Sequence, residues 1–115
     1  MGMPVVHWEI TAKDARKLES FYSQMFDWNV QQAPLAVHPV DTGTETGISG
    51  AITATDGSWP TGAFFYVQVD DVRQYLDKAE QLGATTLLPP TRVDEQATIA
   101  IFRDPEGVRV GLMQR

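Results

Sequence analysis

The chain has 115 residues, no cysteine and a formal net charge of −6, from nine Lys and Arg against fifteen Asp and Glu side chains. This length predicts one globular domain, and 43% hydrophobic residues provide a core without disulfides. The acidic balance argues against a phosphate-binding nucleic-acid surface, and the lack of cysteine excludes thiol chemistry. No basic N-terminal region with an apolar run and no stretch of about 18 apolar residues occurs, which predicts a soluble, cytoplasmic protein without a membrane partner.

The first half of the chain begins with a predicted strand and a predicted helix. Residues 6–11 alternate in polarity, which predicts a strand with Trp8 and Ile10 on one face. Asp14 is a suitable N-cap for a helix over residues 15–25. Steps of three and four residues predict an apolar helix face, which consists of Ala15, Leu18, Phe21, Tyr22, Met25 and Phe26.

A segment rich in turn-forming residues near the centre of the chain indicates a linker over residues 56–62. Alternation over residues 63–69 then predicts another strand, and Asp71 caps a second helix that stops at Gly83. The predicted apolar face of this helix consists of Val72, Tyr75, Leu76, Ala79 and Leu82. Further strands are predicted over residues 28–32, 37–41 and 48–54 in the first half, and over residues 85–88, 98–102 and 108–113 in the second.

The two halves match each other as an internal repeat. The register that aligns Asp14 with Asp71 also aligns Ile10 with Val67, so the two helix caps coincide and an apolar residue aligns with an apolar residue. Each half therefore has the order βαβββ. We predict an α+β fold in which two βαβββ modules form a curved, incomplete-barrel mixed sheet with the helices on its outer face. The predicted single domain has module one at about residues 4–55, the linker at 56–62 and module two at about residues 63–115.

Four short motifs together carry a resemblance to a known family. They are His7 seven residues before Asp14, Phe21-Tyr22 seven residues after it, Val-Asp-Asp-Val at 69–72 and Asp-Pro-Glu-Gly at 104–107. Over essentially its whole length the chain resembles the vicinal oxygen chelate superfamily, which groups glyoxalase-like lyases, bleomycin and fosfomycin resistance proteins and extradiol dioxygenases. It is most similar to short bacterial proteins related to lactoylglutathione lyase. The resemblance implies a homodimer.

The resemblance also identifies where a metal would bind in metal-dependent members. Those positions correspond here to His7, Ala51, Phe64 and Gly111. Only His7 has a side-chain donor, whereas a catalytic divalent ion needs about three protein ligands. Glu9 shares the face of His7 but is roughly 6.6 Å away along the strand, and His38 completes a site only if its strand turns inward. We therefore predict no cofactor, with a divalent metal as the alternative.

The residues predicted to bind a ligand line a cavity between the modules. His7 and Glu9 are also the catalytic candidates, because an imidazole can act as a general acid or base near neutral pH, but His7 can equally hydrogen-bond a neighbour. The aromatic residues can form a wall for a planar ligand or fill the cavity, and the arginine can bind an anion or form a salt bridge. The full set is His7, Glu9, Ala51, Phe64, Tyr66, Arg109, Gly111 and Met113.

These observations favour a metal-independent small-molecule-binding protein. One alternative is a lyase-type or isomerase-type enzyme with a remodelled metal site that uses His7, Glu9 and a third ligand. Another is a non-catalytic interaction subunit whose cavity is filled by its own side chains. The expected partners are a small-molecule ligand and a second copy of the chain, with neither nucleic acid nor membrane.

Overall fold

The computed structural model describes residues 2–32, 37–57 and 61–115. Two compact units are present, and each contains one α-helix and four β-strands. The N-terminal unit comprises His7–Ala63, and the C-terminal unit comprises the residues up to Val6 together with Phe64–Arg115. Part of the predicted linker, residues 58–60, lies outside the described residues.

The N-terminal unit has the predicted order of strand, helix and three strands. Its strands are arranged in the order β2-β3-β4-β1, with β1 parallel to β4 and the other neighbours antiparallel. The elements are β1 (Val5–Ala12), α1 (Ala15–Phe26), β2 (Asn29–Val30), β3 (Val37–Asp41) and β4 (Gly50–Ala54).

The C-terminal unit repeats this topology, with strands in the order β5-β8-β7-β6 and β5 parallel to β8. The predicted α+β class with two βαβββ modules is confirmed. Strand β6 extends past the predicted residue 88, because it is an edge strand with register shifts, where Pro89 and Pro90 are tolerated. The elements are β5 (Gly62–Gln68), α2 (Val72–Gln81), β6 (Thr85–Arg92), β7 (Thr98–Arg103) and β8 (Arg109–Gln114).

Both helices begin at the predicted aspartates. Oδ1 of Asp14 accepts a hydrogen bond from the backbone N–H of Lys17 at 3.1 Å, and Oδ1 of Asp71 accepts one from Gln74 at 3.1 Å. Each carboxylate thus satisfies a backbone donor that has no partner within the helix. Helix α2 ends just before Gly83, which has the φ of +106° that favours glycine.

Each unit has its own hydrophobic cluster between its helix and its strands. In the C-terminal unit, α2 contributes Val72 and Leu76, each 1% exposed, as predicted. Leu82 was also predicted on this face but is 70% exposed, because α2 ends at Gln81 and Leu82 is its C-cap. The remaining buried members of the cluster are Val69, Ala100 and Leu112.

Helix α1 differs from the prediction in the face that it buries. Ala15 is buried as predicted, but the other buried residue is Glu19, while Phe21, Met25 and Phe26 are more than half exposed. Only part of the predicted apolar face therefore packs inward, with Tyr22 half-buried against the cluster of Ala15, Val40 and Ile52. The exposed ring of Phe26 instead lies 5.3 Å from that of Trp28 and 6.1 Å from that of Tyr22.

Candidate functional site

In the C-terminal unit, five of the candidate residues lie on β5 and β8, facing away from the α2 cluster. Tyr66 and Gly111 are register partners on these parallel strands. Phe64 and Arg109 are also buried, at 6% and 8% exposure, and Met113 is half-buried. Strand alternation places all five on one face, because each is an even number of residues from its neighbour on the same strand.

Arg109 and the two aromatic residues form a compact cluster. The guanidinium carbon of Arg109 lies 4.2 Å from the ring centroid of Phe64, which is a cation–π contact. The rings of Phe64 and Tyr66 are 5.2 Å apart and inclined at 46°. The sheet therefore presents a permanent positive charge beside two aromatic rings, a combination suited to an organic anion with a planar body.

Tyr66 also occupies the space beside Gly111. A Cβ atom built at Gly111 would overlap the ring of Tyr66, so even an alanine would require the ring to move. The resemblance places a metal ligand at this position in metal-dependent relatives. A longer acidic side chain could not be accommodated here without displacing Tyr66.

In the N-terminal unit, the other three candidates lie on β1 and β4. Glu9 and Ala51 are register partners, and alternation places His7 on their side of the sheet. Ile10 and Ile52, the next register pair, point to the opposite face and pack in the cluster below α1. His7 and Glu9 are half-buried.

His38 lies on the helix-facing side of this sheet. It is the register partner of Ile52, and its Nδ1 atom is 2.7 Å from Oε2 of Glu19 on α1. His38 therefore does not join Glu9 and Ala51 on their face. The condition under which His38 would complete a metal site with His7 and Glu9, an inward-turned strand, is not met.

The side chains present do not fit a metal centre of the family type. Within residues 2–32, 37–57 and 61–115, no group of three or more histidine or acidic side chains is arranged to hold a metal ion. Ala51, Phe64 and Gly111 have no side-chain atom that can ligate a metal.

A polar cluster that sequence reasoning missed lies between α1 and the N-terminal sheet. Glu19, 5% exposed, contacts His38 through Oε2 and accepts a hydrogen bond from Nε2 of Gln32 through Oε1 at 2.9 Å. The internal repeat could have indicated this cluster, because the register that aligns the two helix caps also aligns Glu19 with Leu76. A carboxylate thus occupies a position at which the second module has a buried leucine.

Two cavities flank α1. One, of about 350 Å³, is lined by Arg16, Glu19, Ser20, Ser23, Val30 and Gln32. The other, of about 410 Å³, is lined by Lys17, Ser20, Phe21, Gln24 and Met25. Neither contains any of the eight predicted ligand-binding residues.

The described helices include none that is both long and apolar enough to cross a bilayer. Helix α1 has twelve residues and α2 has ten, whereas a membrane-spanning helix needs about 20.

Comparison with solved structures shows the fold. The structure aligns with a glyoxalase/bleomycin resistance protein/dioxygenase superfamily member from Vibrio splendidus at a TM-score of 0.63 and 17% identity, covering 98% of each chain. It aligns with a methylmalonyl-CoA epimerase from Streptomyces coelicolor at a TM-score of 0.64 and 15% identity, covering 97% of this chain and 96% of that one. At these identities the likeness concerns the fold alone.

Sequence comparison identifies the family. The chain is 25% identical over 118 aligned positions to "Putative glyoxylase CFP32" of Mycobacterium bovis, and the alignment covers 92% of this chain. It spans only 43% of that relative's length. The model of the Glyoxalase/Bleomycin resistance protein/Dioxygenase superfamily matches residues 5–112, and the chain therefore belongs to this superfamily.

Proposed function

We propose that this protein is a metal-independent small-molecule-binding member of its superfamily, whose ligand is an organic anion with a planar or apolar body. The observation that carries the proposal is the pair of replacements at Phe64 and Gly111. One supplies an aromatic ring in place of a donor atom, and the other leaves room that the ring of Tyr66 fills. A metal ion would find no ligand at either position.

The contact between Arg109 and Phe64 supports the charge and shape of the ligand. The cation–π contact with the Phe64 ring, whose centroid is 4.2 Å from the guanidinium carbon, favours one position of the guanidinium. A ligand carboxylate can accept two parallel hydrogen bonds from a guanidinium held in this way. Tyr66, only 2% exposed, packs against Phe64 with the ring centroids 5.2 Å apart and so supports that ring from within.

Metal content and ligand binding are tested by separate measurements. Elemental analysis of the purified protein and of the His7→Ala variant measures the metal content. Less than about one-tenth of an equivalent of zinc, nickel, manganese or iron is expected in both. A stoichiometric metal that His7→Ala abolishes would overturn the proposal in favour of a lyase-type enzyme with a remodelled site.

A thermal-shift screen of aromatic and aliphatic carboxylates tests the ligand. A ligand that binds only the folded protein should stabilise it by about 2.7 kcal/mol at 100 times its dissociation constant. Arg109→Met should abolish the shift, whereas Arg73→Met, on the exposed surface of α2, should preserve it. If no carboxylate raises the melting temperature, the interaction-subunit alternative is favoured.

The homodimer stays a prediction, which analytical ultracentrifugation would test.

A further inference from the structure

The pair formed by buried Glu19 and half-buried His38 replaces an apolar pair of the second module. Helix α1 corresponds to α2 in the register of the internal repeat, which places Glu19 on Leu76. Across the sheets, His38 is paired with Ile52 on β4, and Ala100 is paired with Leu112 on β8. The first module thus places Glu19 with His38 where the second places Leu76 with Ala100.

The second module shows that apolar side chains can fill this position in the fold. Leu76 and Ala100 are 1% and 0% exposed and belong to one cluster. A buried hydrogen-bonded polar pair generally gives no more stability than apolar residues of similar size, because both polar groups lose their hydration. The Glu19–His38 pair in the first module therefore calls for a role other than folding.

Glu19 of this pair lies at a cavity of suitable size. Glu19 lines the space of about 350 Å³, within the range of small-molecule sites. Its carboxylate accepts from Gln32 and contacts His38, and a carboxylate has about four acceptor positions in all. Capacity therefore remains for hydrogen bonds from a ligand, and a negative charge in the lining favours a cationic donor.

The rim of the cavity has the opposite charge. Arg16 is exposed, lines the same cavity and precedes Glu19 by three residues on α1. Side chains three residues apart on a helix lie on the same face, with Cβ atoms about 5–6 Å apart. The hydroxyl groups of Ser20 and Ser23 add neutral hydrogen-bonding groups to the lining.

We propose that this cavity beside α1 is a second ligand site, which binds a small zwitterion such as a free amino acid. The ammonium group hydrogen-bonds to the Glu19 carboxylate, and the ligand carboxylate binds the Arg16 guanidinium. Gln32 and His38 hold the Glu19 carboxylate in place. The site contains none of the residues assigned to the carboxylate ligand of β5 and β8, so either proposal can fail while the other stands.

Isothermal titration with free amino acids tests the site. In an Arg109→Met background, which removes the anion-binding group proposed on β8, saturable binding is expected for at least one amino acid, but not for the matching acid that lacks the amino group or the matching amine that lacks the carboxylate. Glu19→Gln, which keeps the shape of the side chain, and Arg16→Met should each weaken binding at least about tenfold. Arg73→Met, on the exposed surface of α2, should leave it unchanged.

The double variant Glu19→Leu/His38→Ala is the sharpest test, since it installs the apolar pair of the second module. It should fold and should lose amino-acid binding completely. Circular dichroism establishes the folding, and Glu19→Gln provides the result if the double variant is unfolded. Binding retained in Glu19→Gln, or a failure of every amino acid to bind the unmodified protein, would refute the proposal.

Discussion

Tyr66 and Gly111 face each other across two parallel strands, and the tyrosine ring fills the space that a side chain at position 111 would need. A metal-ligand position of the family is therefore closed in two ways. The side chain that would carry the donor is absent, and its place is occupied by a residue that is 2% exposed. Restoring an acidic residue at position 111 would require the aromatic cluster to rearrange.

We expect Gly111→Ala to lower the free energy of unfolding by about 1–3 kcal/mol, because the added methyl group overlaps the ring of Tyr66. Denaturant titration measures the change. Gly2→Ala is the matched control, since a Cβ there would have no neighbour within 4 Å. In a double-mutant cycle with Tyr66→Ala, the two losses should sum to more than the loss of the combined variant. Full additivity would contradict the close approach.

Removing one partner of the Glu19–His38 pair should destabilise the protein more than replacing both. His38→Ala leaves a buried carboxylate without the imidazole 2.7 Å away and should cost about 1–3 kcal/mol. Glu19→Leu/His38→Ala should be close to neutral or stabilising, because the leucine can pack as Leu76 does. Denaturant unfolding of the single and double variants measures both effects. A double variant less stable than His38→Ala would show that the pair supports the fold.

Leu76 in the middle of α2 and Leu82 at its C-cap should differ sharply in their contributions to stability. Leu76→Ala, which removes a 1% exposed core side chain, should lower the free energy of unfolding by about 2–5 kcal/mol. Leu82→Ala should change it by less than about 0.5 kcal/mol, because Leu82 is 70% exposed. The pair serves as its own control, since the chemical change is identical. Equal losses measured by thermal or denaturant unfolding would mean that Leu82 packs against the core.

The N-cap of α2 should contribute measurably to stability. Asp71→Ala removes the acceptor of the Gln74 N–H and should cost about 1 kcal/mol. Asp71→Asn should recover most of this loss, since asparagine is an equally good cap. Asp70→Ala, at the exposed neighbouring position, should have an effect below about 0.5 kcal/mol. If Asp71→Ala were as mild as Asp70→Ala in denaturant titration, the capping hydrogen bond would be absent.

Much of the fold could be predicted from local sequence, because helix caps and strand alternation depend on residues that are close together in the chain. Asp14 and Asp71 begin helices through hydrogen bonds to residues only three positions away. The strand around Trp8 follows from simple alternation. The recurrence of these patterns in the second half of the chain was sufficient to predict two βαβββ modules, which the structure confirms.

The polar site beside α1 could not be predicted in this way, because an amphipathic pattern does not fix which part of a helix packs inward. Phe21 and Met25 satisfy the helical period of the predicted apolar face, yet the packing of α1 against the strands leaves them exposed. Glu19 becomes buried because Ala15, one turn before it, packs against Val40 and Ile52. Contact with His38, nineteen residues away, then depends on the register of β3 with β4.

The sequence alone determined the length, the charge and the lack of cysteine. It also determined that the side chains at positions 51, 64 and 111 have no metal-ligating atoms, since these properties depend only on which atoms exist. They argue against thiol chemistry and a family-type metal centre before any fold is known. The stacking of Arg109 on Phe64, the closure of position 111 by Tyr66 and the pairing of Glu19 with His38 depend on contacts between distant parts of the chain. Such contacts are fixed by strand register and side-chain packing, which only the folded molecule contains.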